Sequence, residues 1–162
     1  MQLQFLKPRR IGFIKLADLM FLTGKDNYQA LVSQIALIHG DNIGSYNLTK
    51  MDDYEERSSF YTSFQDQLKP APIYDFKISF HGSLEELQQS LFNDYSHIIS
   101  SSCVYSWDNQ APCLIIPHFL EVNPETSKLR KPHIHIVYQA EEPDNLRKYL
   151  QDDLLSEKNR ME

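Results

Sequence analysis

The sequence predicts an α+β fold in which a single, largely antiparallel sheet is covered by helices. Three observations point there. Residues 74–80 (YDFKISF) alternate apolar and polar side chains, the mark of a half-buried strand. Residues 97–107 and 113–122 read as two more strands joined by a turn-rich DNQAP segment, and residues 133–138 (HIHIVY) as a third. Helical apolar stripes flank these runs, with Leu84, Leu87, Leu91 and Phe92 on one side and Leu146, Tyr149, Leu150 and Leu154 after Pro143 and Asp144 on the other. At 162 residues and 41% apolar content, the chain is long enough for one domain with its own core.

Taken in order, residues 1–10 are an arm of mixed apolar and basic side chains around Pro8. Residues 11–22 form an apolar run broken by Lys15 and Asp18, which periodicity leaves open between strand and helix; a short strand passing into a helix is expected. Asp26 is an N-cap candidate for a helix whose Tyr28, Leu31, Val32, Ile35 and Leu37 or Ile38 keep helical spacing, ending near His39 and Gly40. Residues 41–50 are rich in Gly, Asn and Ser and read as a loop, and residues 51–68 as a helix. Lys69-Pro70-Ala71-Pro72 then separates a mainly helical subregion, residues 1–69, from a sheet-containing core, residues 73–162, inside one domain. Ser83 is the N-cap candidate for the next helix.

No run of about 18 or more apolar residues occurs, and no signal-peptide pattern opens the chain, so a soluble, cytoplasmic protein with no membrane partner is expected. Cys103 and Cys113 are too few for a secreted disulfide framework and lack zinc-type spacing. They read as two small buried hydrophobes, although a hairpin centred near Asp108 would bring them together. A net charge of -6 argues against non-specific coating of nucleic acid. Positive residues nevertheless collect locally, at Lys7, Arg9, Arg10 and Lys15, at Lys128, Arg130 and Lys131, and at Arg147 and Lys148.

The middle basic group adjoins the most informative stretch. Side chains alternate along a strand, so His133 and His135 project from one face while Ile134 and Ile136 pack on the other. His118 and Glu121 stand at the end of the preceding apolar run, across a polar connection. Imidazoles with a carboxylate suit Mn²⁺ or another first-row divalent ion, and Mg²⁺ where water completes the shell. His118, Glu121, His133 and His135 are therefore the candidate ligands of a metal that polarises a phosphoryl oxygen. Lys128, Arg130 and Lys131 are candidate nucleic-acid contacts beside it.

The segment KPHIHIVY, residues 131–138, resembles the His-hydrophobic-His motif of the HUH endonucleases, which include rolling-circle replication initiators and conjugative relaxases. The order of features is similar too: a strand leading to His118-Phe119-Leu120-Glu121, with Glu where the initiators have Asp, then a basic loop, the motif strand, and a helix opening after Pro143. The likeness covers roughly the C-terminal half. It implies a ferredoxin-like core and a metal-dependent enzyme that nicks and joins single-stranded or hairpin DNA in plasmid or viral replication or DNA transfer. A tyrosine would attack the scissile phosphate and remain joined to the DNA 5′ end.

Initiators carry that tyrosine after the motif strand, commonly as Tyr-x-x-Lys, whereas Tyr149 lacks the Lys. Relaxases carry it before the sheet. In that order Tyr54 ranks first, because Tyr54 and Arg57 lie one helical turn apart, and Tyr61 follows on the same helix. Tyr28 and Tyr46 come next, while the Tyr74–Lys77 pair falls on opposite faces of a strand. Two other classes compete: a non-catalytic HUH-derived module that only binds DNA, and a cupin-like metal enzyme, which the helices and the absence of glycine at the motif disfavour. Tyr105 and Trp107 offer stacking surfaces for unpaired bases, or simply core.

Overall fold

The computed structural model describes residues 2–21, 34–39, 46–50, 54–81, 84–118 and 132–161. Its elements run β1 (Gln2–Phe5), β2 (Arg9–Ile11), α1 (Phe13–Phe21), β3 (Gln34–Ile38), β4 (Tyr46–Lys50), α2 (Tyr54–Gln67), β5 (Ile73–His81), α3 (Leu84–Asn109), β6 (Cys113–His118), β7 (His133–Tyr138) and α4 (Asp144–Met161). The α+β class with one antiparallel sheet covered by helices is what forms. Seven strands make an open sheet in the order β1-β5-β7-β6-β3-β4, with β2 also on β5. All the pairings are antiparallel.

Period-two alternation sorts the central strands into two faces. Ile115, Ile134, Ile136, Tyr138, Phe76, Ile78 and Phe80 pack with Tyr95, Ile98 and Ile99 of α3 and with Leu146, Leu150 and Leu154 of α4. Their neighbours Leu114, Ile116, Val137, Ile73, Ile35 and Leu37 face the other way, against Leu16, Leu19 and Met20 of α1 and Phe60 and Phe64 of α2. The strands at the centre are thus apolar on both faces, as a sheet covered twice requires.

The edge opposite β4 is made in two pieces. β1 pairs with residues 78–81 of β5 and β2 with residues 73–75, and the Leu6 N–H donates to the Lys77 carbonyl between them. Leu6, Lys7 and Pro8 therefore oppose only Phe76 and Lys77, a bulge carrying a proline and an exposed lysine. Such an interruption discourages pairing with a second chain.

Three expectations are corrected. Residues 97–107 are not a strand but continue α3, because Tyr95, Ile98, Ile99, Ser102, Cys103 and Ser106 recur at helical spacing and are all buried. Residues 34–38 are a buried strand, not a helix end, and residues 46–50 pair with them and are not a loop. Among the described residues, positions 1–69 contribute β1, β2, β3 and β4 to the shared sheet together with α1 and α2. The first part of the helix expected from Asp26, up to residue 33, and the cap at Ser83 lie outside the described residues. Cys103 and Cys113 are both free and buried in the α3/α4 core, where desolvation raises both thiol pKa values. No hairpin joins them, since residues 84–109 are helical.

Candidate metal centre

Strands β6 and β7 are neighbours at the middle of the sheet, and their register sets His118 directly opposite His133 and Ile116 opposite His135. Directly opposed residues share a face, so His118, His133 and His135 converge on the α1/α2 side. Pro117, whose neighbour Ile116 still faces that core, lies beyond Ile115, the last β6 residue paired with β3. Its missing N–H therefore interrupts no ladder there. The Phe80 N–H donates to the Pro132 carbonyl at 2.9 Å and pins the start of β7 to β5.

The three rings are mutually edge-on, with centroids 5.2 Å (His118–His133), 4.7 Å (His118–His135) and 5.0 Å (His133–His135) apart. One nitrogen from each lies within 4.8 Å of the others, and all three residues are buried. Two contacts fix tautomers. His118 Nε2 lies 3.0 Å from the Leu19 carbonyl, which can only accept, so Nε2 carries the proton and Nδ1 the lone pair. His135 Nδ1 lies 3.0 and 3.1 Å from the two oxygens of Asp75, so Nδ1–H donates, which in the neutral ring puts the lone pair on Nε2. Burial first, then repulsion from His135, pushes the His118 pKa down to about 3, which keeps its imidazole neutral.

Asp75 is the residue that sequence reading missed. It is fully buried on β5, held between His135 and Arg9, whose Nε donates to Oδ2 at 3.3 Å. A carboxylate behind a histidine orients the ring and raises its basicity as a ligand. The signal was present in the sequence: Asp75 occupies the polar side of an alternating strand, and that side turns out to be the imidazole face and not solvent.

The donor set fits a metal. Three buried imidazoles, with the Asp75 carboxylate set behind His135, make a site that can hold a metal ion. Glu121, Lys128, Arg130 and Lys131 lie outside the described residues. No protein-family model, curated protein or solved structure matches the chain. The site must be read on its own chemistry.

The tyrosine candidates fall on α2. Phe21, at the end of α1, touches Tyr54 (ring centroids 5.5 Å) and Tyr61 (5.7 Å), and Arg57 Nη1 donates to the Met20 carbonyl at 3.0 Å. Leu19, two residues before Phe21, is the residue that holds His118. Tyr54 is 65% exposed. The Tyr61 hydroxyl donates to the Phe13 carbonyl at 3.5 Å, at the far end of α1, and burial raises its pKa. Tyr46 is exposed on β4 and Tyr74 stacks near Tyr138 on the α3/α4 face; Tyr28 lies outside the described residues. Tyr105 packs on Tyr149, also away from the imidazoles, so it serves the α3/α4 side and not this centre. No helix among the described residues is long and apolar enough to cross a membrane.

Proposed function

We propose that the protein is a divalent-metal-dependent endonuclease of the HUH type, nicking and joining single-stranded or hairpin DNA in plasmid or viral replication or DNA transfer, through a tyrosine nucleophile. The observation that carries this reading is the convergence of His118, His133 and His135 from adjacent central strands, with Asp75 set behind His135. Strand order adds support. Segment β5-α3-β6-β7-α4 places β7 between β5 and β6 with both helices on one face, and β1 lies antiparallel outside β5. That order supports a ferredoxin-like core whose fourth strand would be β1. An open, helix-covered sheet is not the double-sheet barrel on which a cupin site is built.

An all-imidazole described set favours Mn²⁺ over Mg²⁺, which prefers oxygen donors. A bound ion would supply Lewis-acid polarisation of the scissile phosphate. The chain's own residues do the rest: the Leu19 carbonyl of α1 and the Asp75 carboxylate orient the His118 and His135 rings, and burial keeps the three imidazoles largely out of water. Tyr54 is the first candidate nucleophile and Tyr61 the second, with Arg57 anchoring that turn of α2 to α1. Lys128, Arg130 and Lys131 are the proposed basic contacts, and the cytoplasm the proposed compartment.

Incubation with single-stranded plasmid-origin DNA and Mn²⁺ should give a covalent protein–DNA adduct on a denaturing gel, lost in Tyr54→Phe. Binding of the DNA with no adduct under any divalent ion would replace this reading with that of a non-catalytic DNA-binding module.

A further inference from the structure

The imidazole face continues beyond the histidines. Across the β5–β7 ladder, Lys77 is the partner of His135 and Ser79 the partner of His133. Directly opposed residues of an antiparallel pair point the same way, with Cβ atoms roughly 4.5–5.5 Å apart. The Lys77 and Ser79 side chains therefore leave the sheet beside the cluster, on its own side. One strand further out, Gln4 is the partner of Ser79, and its Oε1 lies 2.9 Å from His81 Nε2, on the same face.

Burial changes along this face of β5. Ile73 and Asp75 are buried under the α1/α2 layer, whereas Lys77, Ser79 and His81 are only half-buried. A polar strip thus runs from the imidazoles to the β1 edge. Its charge is positive. Among the described residues no carboxylate pairs with Lys77, and Asp75, two positions away on the same face, is engaged by His135 and Arg9. The Lys77 backbone is fixed by the Leu6 N–H at the bulge, so the cation stands on a rigid strand and not on a loop.

We propose that Lys77, assisted by the Ser79 hydroxyl, is the seat for a backbone phosphate of single-stranded DNA laid across this strip beside the metal centre. The proposal rests on the nuclease reading and adds to it where the strand lies. A lone ammonium and a hydroxyl, both donors, suit the acceptor oxygens of a phosphodiester. The next phosphate along the same strand then falls over the imidazole cluster. Lys77 acts here as a positioning residue: it orders the strand and touches neither the metal nor the bond that breaks.

The test is fluorescence anisotropy of a labelled oligothymidylate in the presence of chelator, titrated against salt, with nicking assayed in parallel. Lys77→Gln should weaken binding roughly tenfold and reduce the slope of log affinity against log salt by about 0.7, the value for one single-strand phosphate contact. Lys77→Arg should restore both, and Lys148→Gln on α4, the same change of net charge on the opposite side, should alter neither. Mn²⁺ affinity should not fall in Lys77→Gln. Unchanged affinity and slope in Lys77→Gln, or an equal loss in Lys148→Gln, would overturn the seat. If the protein nicks DNA while its binding ignores Lys77, the nuclease reading stands and the seat falls. If it binds through Lys77 without nicking, the seat stands and the nickase assignment falls.

Discussion

The two faces of β7 share one backbone and differ in what they bury: both take apolar side chains, Val137 among them on the α1/α2 side, but only that side also takes imidazoles. Ile134 and Ile136 enter a dry core with α3 and α4, while His133 and His135, offset by one residue, enter a cluster of imidazoles beneath α1. On the first face, removal of apolar area from water stabilises the fold. On the second, three aromatic heterocycles and a carboxylate are buried where aliphatic side chains would pack at less cost. A strand of six residues thus carries stability on one side and chemistry on the other, and its alternation keeps the two apart.

That separation can be broken experimentally. The largest effect is expected on the apolar face. Ile136→Ala should lose about 2–5 kcal/mol of metal-free stability in urea unfolding, while the folded fraction keeps its Mn²⁺ affinity. Loss of metal binding by a still-folded Ile136→Ala protein would show that the faces are coupled. His133→Ala is the complementary change. It should reduce Mn²⁺ affinity by more than about 100-fold in calorimetric titration, beyond the loss usual for an outer-shell change, yet destabilise the metal-free protein less than Ile136→Ala. Asp75→Asn, which keeps size but weakens the hold on His135 Nδ1–H, should lower Mn²⁺ affinity by about 10–100-fold. An unaltered affinity would mean that the carboxylate does not orient the ring.

The last expected effect concerns protons. His118 is held neutral down to about pH 3, so between its unfolded pKa near 6.5 and that value the unfolded chain binds a proton that the folded chain refuses. Metal-free stability should therefore fall as pH falls through this window, by up to about 1.4 kcal/mol per pH unit. His118→Gln should flatten that dependence; an identical pH profile in the variant would count against a buried, neutral His118.

Much of this arrangement is legible in the residues themselves. The alternation in β5, the His-Ile-His of β7 and the Leu146, Leu150 and Leu154 stripe of α4 each match one period, and each element forms where that period runs, although Tyr149, expected in that stripe, is exposed. β3 misleads because Ile35-Ala36-Leu37-Ile38 is apolar at every position, and a strand buried on both faces has no alternation to display. The second half of α3 misleads for a different reason. Ile98, Ile99, Cys103, Val104 and Tyr105 favour strands as isolated residue types, and only packing of the 95-98-99-102-103-106 stripe against the sheet makes the segment helical. At the site, the histidines carry a recognisable spacing, whereas Asp75, Arg9 and the Leu19 carbonyl reach it from three other segments and acquire their roles only through the sheet register and the placement of α1.

The interrupted edge has a consequence for how the protein is made. Gln4 bonds His81 at a sequence separation of 77, so β1 emerges from the ribosome long before β5, the strand it must join. At roughly 5–20 residues per second, that wait lasts about 4–15 s. Throughout it, Leu3 and Phe5, which finally pack on the α3/α4 core, have no native surface to cover them. The lysine and proline that follow at positions 7 and 8 limit what such a nascent strand can pair with in the meantime.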